Sequence, residues 1–293
     1  MLDELLINPS AMRQIGLFLK KAANLMLAGP AGSGKRTIAE AIARSILISG
    51  SSDSLASYPY FLHITKEPDK QEISIDSVRQ IIEFFHLKTP GKGAIRRIVL
   101  IENAQTMSLE AQNALLKILE EPNDDSIFIL TADSARNVLP TIASRCQLIE
   151  VRAANLAASL GYFERRYSTT QIVSAWKLSQ GTAGLMSALL DKDKSHPLKT
   201  AVNDAKQLLK LNRFGRQLQL EKVLKNKAEL SLFLEALNRV ITSLHQSAVK
   251  SGKVNQASGL LADRKLIKKL QKAAEANVSP RLIGLNLVLK LSI

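Results

Sequence analysis

Residues 29–37 read Gly-Pro-Ala-Gly-Ser-Gly-Lys-Arg-Thr, the residue types and spacing of a phosphate loop. Glycines there let successive backbone N–H groups turn toward phosphate oxygens, and a following helix N-terminus adds partial positive charge. A lysine at the place of Lys35 reaches the β- and γ-phosphates. Gly29, Gly32, Gly34 and Lys35 are therefore the expected nucleotide-binding residues. The next position ordinarily carries Ser or Thr, whose hydroxyl holds Mg²⁺. Arg36 stands there instead, and a guanidinium ligates no cation. Thr37 has a hydroxyl, but one helical step turns it about 100° away.

A second chemical motif starts at residue 98, where Ile-Val-Leu-Ile leads into Glu102 and Asn103. An apolar strand ending in an acid suits metal coordination. Glu102 is one methylene longer than the usual Asp, and Asn103 stands where a general base would. A neutral amide takes no proton from water. The two motifs leave room for ATP binding without hydrolysis and predict no turnover by this chain alone.

These motifs need a strand before and a helix after each turn. Residues 24–28, 60–64, 97–101, 126–130 and 147–151 are short apolar or branched runs that read as five strands. Residues 37–47, 76–85 and 108–119 carry apolar side chains at helical spacing, the last stopping at Glu121-Pro122. Such alternation implies a parallel sheet covered by helices on both faces. From about residue 154 the strand signals fade. Residues 171–178, 185–190, 200–211, 228–246, 262–274 and 281–291 all show helical spacing.

Charge divides the chain in the same place. Lys and Arg number 40 against 26 Asp and Glu, a formal net charge of +14. Residues 1–153 hold 17 basic and 17 acidic side chains, whereas residues 154–293 hold 23 and 9. A charged stretch closed by proline, residues 191–197, marks a further boundary. The expected domains are 1–153, a small helical segment 154–194, and a longer helical one 195–293. In the stretch Asp-Arg-Lys-Leu-Ile-Lys-Lys-Leu-Gln-Lys at 263–272, apolar positions lie among the lysines, as in an amphipathic helix. Its charge is expected to meet acidic neighbours or keep the surface soluble, with attraction to DNA secondary.

Composition excludes several classes. Hydrophobic residues at 46 % and charged residues at 23 % are globular values, against bulk disorder. No uncharged apolar run approaches the ~18 residues of a membrane span, so no membrane partner is expected. The start, Met-Leu-Asp-Glu-Leu-Leu, lacks the cationic region of a secretory signal. The single cysteine, Cys146, supports neither an internal disulfide nor a multi-thiolate zinc site. It precedes an apolar strand with no histidine at a supporting spacing, so it reads as a buried small hydrophobe rather than a nucleophile. A cytoplasmic protein is expected. Aromatics at 4 % argue against a base-stacking platform.

Three segments then carry a resemblance: Asn-Ala-Leu-Leu-Lys-Ile-Leu-Glu-Glu-Pro at 113–122, Ile-Phe-Ile-Leu-Thr at 127–131, and Leu-Pro-Thr-Ile-Ala-Ser-Arg-Cys-Gln at 139–147. They resemble bacterial clamp-loader subunits of the AAA+ class, as do residues 73–84 and 277–291. The resemblance is strong over about 20–151 and diffuse beyond. It implies an α/β AAA+ P-loop domain with a parallel five-stranded sheet, a small helical lid and an all-α C-terminal collar. In that family Ser-Arg-Cys carries an arginine finger that reaches a nucleotide bound by the neighbouring subunit, a role the resemblance puts on Arg145. Thr131 matches a sensor position, and with Glu102 and Thr37 completes the implied, degenerate nucleotide site.

Departures from the family are as informative. Many members hold a four-cysteine zinc module where this chain has residues 49–58 without a thiol, so no zinc is expected. Near Gly184 an active subunit would place a sensor arginine. Keeping Arg145 while losing the magnesium hydroxyl, the base and the sensor arginine is the pattern of a subunit that completes a neighbour's site. The implied partners are other loader subunits (tau/gamma and delta), the sliding clamp, and primed DNA within the assembly. Two alternatives stand beside this: an active AAA+ ATPase of a loader or of recombination, and a general DNA-binding protein using its basic helices.

Overall fold

The computed structural model describes residues 2–21, 23–48, 54–67, 69–89, 94–121, 123–191, 193–194, 196–224 and 226–292, apart from the side chains of Asp3 and Lys222. Pro122, half of the 49–58 stretch (residues 49–53), and residues 192 and 195 of the 191–197 boundary lie outside the described residues. Two compact units are present, Met1–Tyr162 and Phe163–Ile293.

The first unit alternates as the sequence predicts. Its strands are β1 (Leu25–Ala28), β2 (Phe61–Ile64), β3 (Arg97–Ile101), β4 (Ser126–Ala132) and β5 (Gln147–Glu150). Its helices are α1 (Pro9–Lys20), α2 (Lys35–Leu47), α3 (Ile75–Phe85), α4 (Leu109–Glu120), α5 (Pro140–Ala143) and α6 (Leu156–Phe163), the last ending at the unit boundary. The five strands form one parallel sheet in the order β2-β3-β4-β1-β5.

Period-2 alternation sorts the strand side chains between two cores. Leu25, Leu27, Ile98, Leu100, Ile127 and Ile129 face Ile15 and Phe18 of α1 and Ile38 and Ile42 of α2. Met26, Val99, Ile101, Phe128 and Leu130 face Val78 and Ile81 of α3 and Leu115 of α4. Burial on both faces is why these strands read as continuous apolar runs. Because all strands run one way, the turns after β1, β3 and β4 gather at one edge of the sheet, the crevice where open α/β sheets bind ligands.

Helices α1 and α6 are not among the expected elements, although Ala11, Ile15 and Phe18 give α1 a buried stripe at helical spacing. Local chemistry explains α1: Asn8 caps it by accepting from the Ser10 N–H, and Pro9 fills the first turn.

The second unit is all helix: α7 (Thr169–Ser179), α8 (Ala183–Leu190), α9 (Pro197–Leu208), α10 (Arg213–Val223), α11 (Lys227–Lys250), α12 (Val254–Glu275) and α13 (Pro280–Lys290). One hydrophobic core runs through it, from Leu178 and Leu185 through Val202, Phe233 and Ile241 to Ile267 and Leu287. The buried guanidinium of Arg239 ties α11 to α7, donating to the Ser179 carbonyl at 2.6 Å and to Glu235 at 2.8 Å. Sequence periodicity missed α10, whose buried side is Arg216, Leu220 and the partly buried Val223, while its apolar Phe214 and Leu218 are exposed. Among the described residues no helix is long and apolar enough to cross a membrane.

Candidate functional site

The phosphate loop joins β1 to α2, as its motif requires. Gly29 sits where the backbone packs against the end of β5: a Cβ there would lie 2.3 Å from the Val151 carbonyl oxygen. Gly32 and Gly34 adopt φ of 75° and 87°, the left-handed region that favours glycine. Among the described residues, the N–H groups of Gly32, Gly34 and Lys35 find no protein acceptor. The buried Ser33 hydroxyl also has no partner. Converging donors at a helix N-terminus fit a phosphate group.

Lys35 is only 8 % exposed. Its ammonium donates to the loop's own carbonyls, Gly29 O at 2.7 Å and Pro30 O at 3.1 Å. Burial pushes its pKa down, while Asp133 and Glu102 favour the charged form. The lysine is thus held at the loop by the loop's own backbone acceptors.

Arg36 does not project idly into solvent. It donates to Glu40 at 2.8 Å, one turn along α2, and stands 3.5 Å from the Glu102 carboxylate. Nε2 of His63, on the neighbouring strand β2, lies 3.2 Å from the same carboxylate, at an angle poor for a hydrogen bond. The His63 contact foremost, with the Arg36 and Lys35 charges, holds the Glu102 carboxyl below its usual range against the effect of burial. The acid at the end of β3 is therefore already neutralised by side chains of this chain. Thr37 is exposed and opens, with Arg36, Glu40 and His63, on a cleft of about 710 Å³.

Asn103 holds a left-handed backbone (φ 56°), and its N–H donates to Oγ1 of Thr131 at 2.9 Å. Thr131, 1 % exposed, thereby pins the end of β3 to β4. Gly29, Gly32, Gly34, Lys35, Glu102 and Thr131 thus come together at the carboxyl edge of the sheet.

Arg145 does not join them. It follows α5 and precedes β5, whose first residue Gln147 pairs with Leu25, the first residue of β1. The phosphate loop leaves the far end of β1, after Ala28, so three strand steps of about 10 Å separate the two ends. Arg145 sits at the opposite edge of the sheet from the loop. Its guanidinium donates to Glu120 at 2.8 Å and to the Thr141 carbonyl at 3.1 Å, and its side chain is 37 % exposed.

Cys146 is half-buried among Ile142 and its neighbours, and burial pushes its thiol up to about 12, as a small hydrophobe rather than a nucleophile. Sequence reasoning missed His63 and Glu120. His63 becomes visible only through the pairing of His63 with Leu100, and Glu120 lies 25 residues from the arginine it holds.

Residues 19–155 match the family model described as DNA polymerase III, delta subunit. Over 165 residues the chain is 33 % identical to DNA polymerase III subunit delta-prime of Pseudomonas aeruginosa, a match covering 52 % of this chain and 50 % of the relative. It is 28 % identical over 138 residues to the Escherichia coli subunit of that name, covering 46 % and 41 %. The matched region spans half or less of the length of these relatives. A gamma-subunit-related protein of DNA polymerase III from Thermotoga maritima shares the fold with a TM-score of 0.51 at 17 % identity, covering 95 % of this chain and 97 % of that one. An α/β fold with a parallel five-stranded sheet followed by a helical C-terminal region is thereby shown.

Proposed function

We propose that this chain, delta-prime-like over residues 19–155, is a non-catalytic clamp-loader subunit that completes a neighbour's ATP site without running its own. The observation that carries this reading is the separation of Arg145 from the altered phosphate loop. A finger at the opposite edge of the sheet cannot serve its own loop and is free to face a nucleotide on an adjacent subunit. A guanidinium supplied in trans to a γ-phosphate is worth ~10³–10⁵ in rate. Glu120 serves as its resting partner, exchanged for phosphate when a neighbour docks.

The local site favours holding ATP over splitting it. The Gly32, Gly34 and Lys35 N–H groups and the Lys35 ammonium would hold the phosphates. Arg36 stands in place of the magnesium hydroxyl, Glu102 is tied to Arg36 and His63, and Asn103 removes no proton from water. Gly184, at the expected sensor-arginine position, lies within α8 and brings no charge. On this reading residues 154–194 act as the lid and residues 195–293 as the collar joining tau/gamma and delta subunits. The assembly then opens a sliding clamp and loads it on primed DNA during replication.

The test is hydrolysis by purified components. The chain alone is expected to release no phosphate above background, and to raise DNA-stimulated hydrolysis when added to the loader ATPase. Ordinary turnover by the isolated chain would overturn the non-catalytic reading.

A further inference from the structure

Helix α12 has two unlike faces. Leu260, Ile267, Leu270 and Ala274 are buried in the core of the second unit. Between Arg264 and Ala274 every exposed side chain is a lysine: Lys265, Lys268, Lys269 and Lys272. At 100° per residue these four fall within an arc of about 100°, one face of the helix. No ion pair or hydrogen bond engages any of them among the described residues, whereas Arg264 on the flank is held against His245 at 3.2 Å. Asp263 is buried and turned away, its carboxylate accepting from Ser292 N and Oγ. The next acid along the helix, Glu275, lies beyond the last lysine.

We propose that this lysine row is a contact for the sugar-phosphate backbone of duplex DNA, made without reading sequence. Four like charges on one rigid face repel each other, and a polyanion relieves that repulsion. From Lys265 to Lys272 the helix rises about 10.5 Å, a length over which a duplex carries about six phosphates. An acidic protein partner fits less well. Protein interfaces are built on apolar and aromatic cores, and from Lys265 to Lys272 no exposed apolar side chain interrupts the row, the exposed Leu261 lying one turn before it on the same face. Lysine's compact, mobile ammonium suits a point contact with phosphate rather than the bidentate pairing that arginine makes with a carboxylate. The proposal shares with the previous section only the idea that the chain works beside DNA. Its test uses the chain alone, so its failure leaves Arg145 untouched.

The experiment is fluorescence anisotropy of a labelled duplex titrated with the full chain at several salt concentrations. A Lys265→Gln, Lys268→Gln, Lys269→Gln, Lys272→Gln variant is expected to bind at least tenfold more weakly at low salt. Its slope of log affinity against log salt is expected to fall by about 3.6, since each phosphate neutralised contributes about 0.9. A control loses the same number of charges elsewhere (Lys20→Gln, Lys21→Gln, Lys206→Gln, Lys210→Gln) and should retain both affinity and slope. Circular dichroism reports whether both variants keep their helix content. A variant that loses helix is replaced by the four-fold Lys→Arg chain, which keeps the charge and is expected to bind as the parent does. Equal loss in the control would reduce the effect to net charge and overturn the proposal. So would competition by poly-glutamate as effective, per charge, as unlabelled duplex, which would mark an acidic protein partner instead.

Discussion

The Arg36 guanidinium stands 3.5 Å from the Glu102 carboxylate, so the residue that replaces the magnesium-binding hydroxyl also neutralises the acid expected to share that metal. His63 meets the same carboxylate from the next strand. Where the motif would place a cation, this chain holds an internal charge cluster, and several consequences are measurable.

Nucleotide binding by the isolated chain should be nearly indifferent to magnesium. Isothermal titration with ATP in magnesium and in EDTA is expected to give affinities within about twofold, less than 0.5 kcal/mol. Arg36→Thr restores a hydroxyl and frees Glu102, so its ATP affinity should become magnesium-dependent by about tenfold or more. That variant should still not hydrolyse ATP, because Asn103 remains. Magnesium dependence in the parent chain would contradict the role given to Arg36.

The same cluster predicts a direction for acid stability. The folded-state pKa of Glu102 is depressed, chiefly by its contact with His63. A depressed carboxyl stabilises the fold fully above its unfolded value of 4.5 and loses that contribution as pH falls through the lower folded value. Thermal melts of the parent and of Glu102→Gln should therefore differ most near neutral pH and converge in acid. A gap that widens below pH 4.5 would reverse the assigned sign.

Gly29→Ala tests the close approach of the loop to β5. Its Cβ would meet the Val151 carbonyl at 2.3 Å, and both partners are backbone held in the sheet. Urea unfolding should show a loss of about 1–3 kcal/mol, the range for overpacking. An unchanged midpoint would mean that the loop relaxes freely.

Cys146 should be nearly inert in the folded chain. Burial raises its thiol to about 12 from 9.0, which lowers the thiolate fraction at neutral pH by about a thousandfold. Thiol labelling at pH 8 should be slow in buffer and fast in denaturant. Prompt labelling of native protein would refute the assignment of Cys146 as a packed hydrophobe.

Much of this architecture is legible in the residues. The five strands lie within two residues of their expected ends, because β1, β3 and β4 are buried on both faces and read as plain apolar runs. The phosphate loop, its missing hydroxyl and the amide at Asn103 are equally visible, being local in sequence. What stays hidden is what register creates. His63 reaches Glu102 only because β2 pairs with β3, and Arg145 stands apart from the loop only because Gln147 pairs with Leu25. Helix α10 is also silent, since its apolar side chains are split between the buried Leu220 and the exposed Phe214 and Leu218. The lysine row of α12 shows in the sequence as mixed charge and apolar residues. Its segregation onto one unpaired face takes the structure to see.

Steady-state ATP hydrolysis by the assembled loader on primed DNA reads out whether Arg145 acts on a neighbour's nucleotide. With Arg145→Ala in this chain alone, hydrolysis is expected to fall at least about tenfold, a conservative floor beneath the ~10³–10⁵ that a finger in trans supplies. Assembly, followed by size-exclusion chromatography, should be unchanged, and Glu120→Gln should leave the rate intact or raise it. A loader that assembles with the Arg145→Ala chain and hydrolyses ATP at the parental rate would rule out a finger at Arg145.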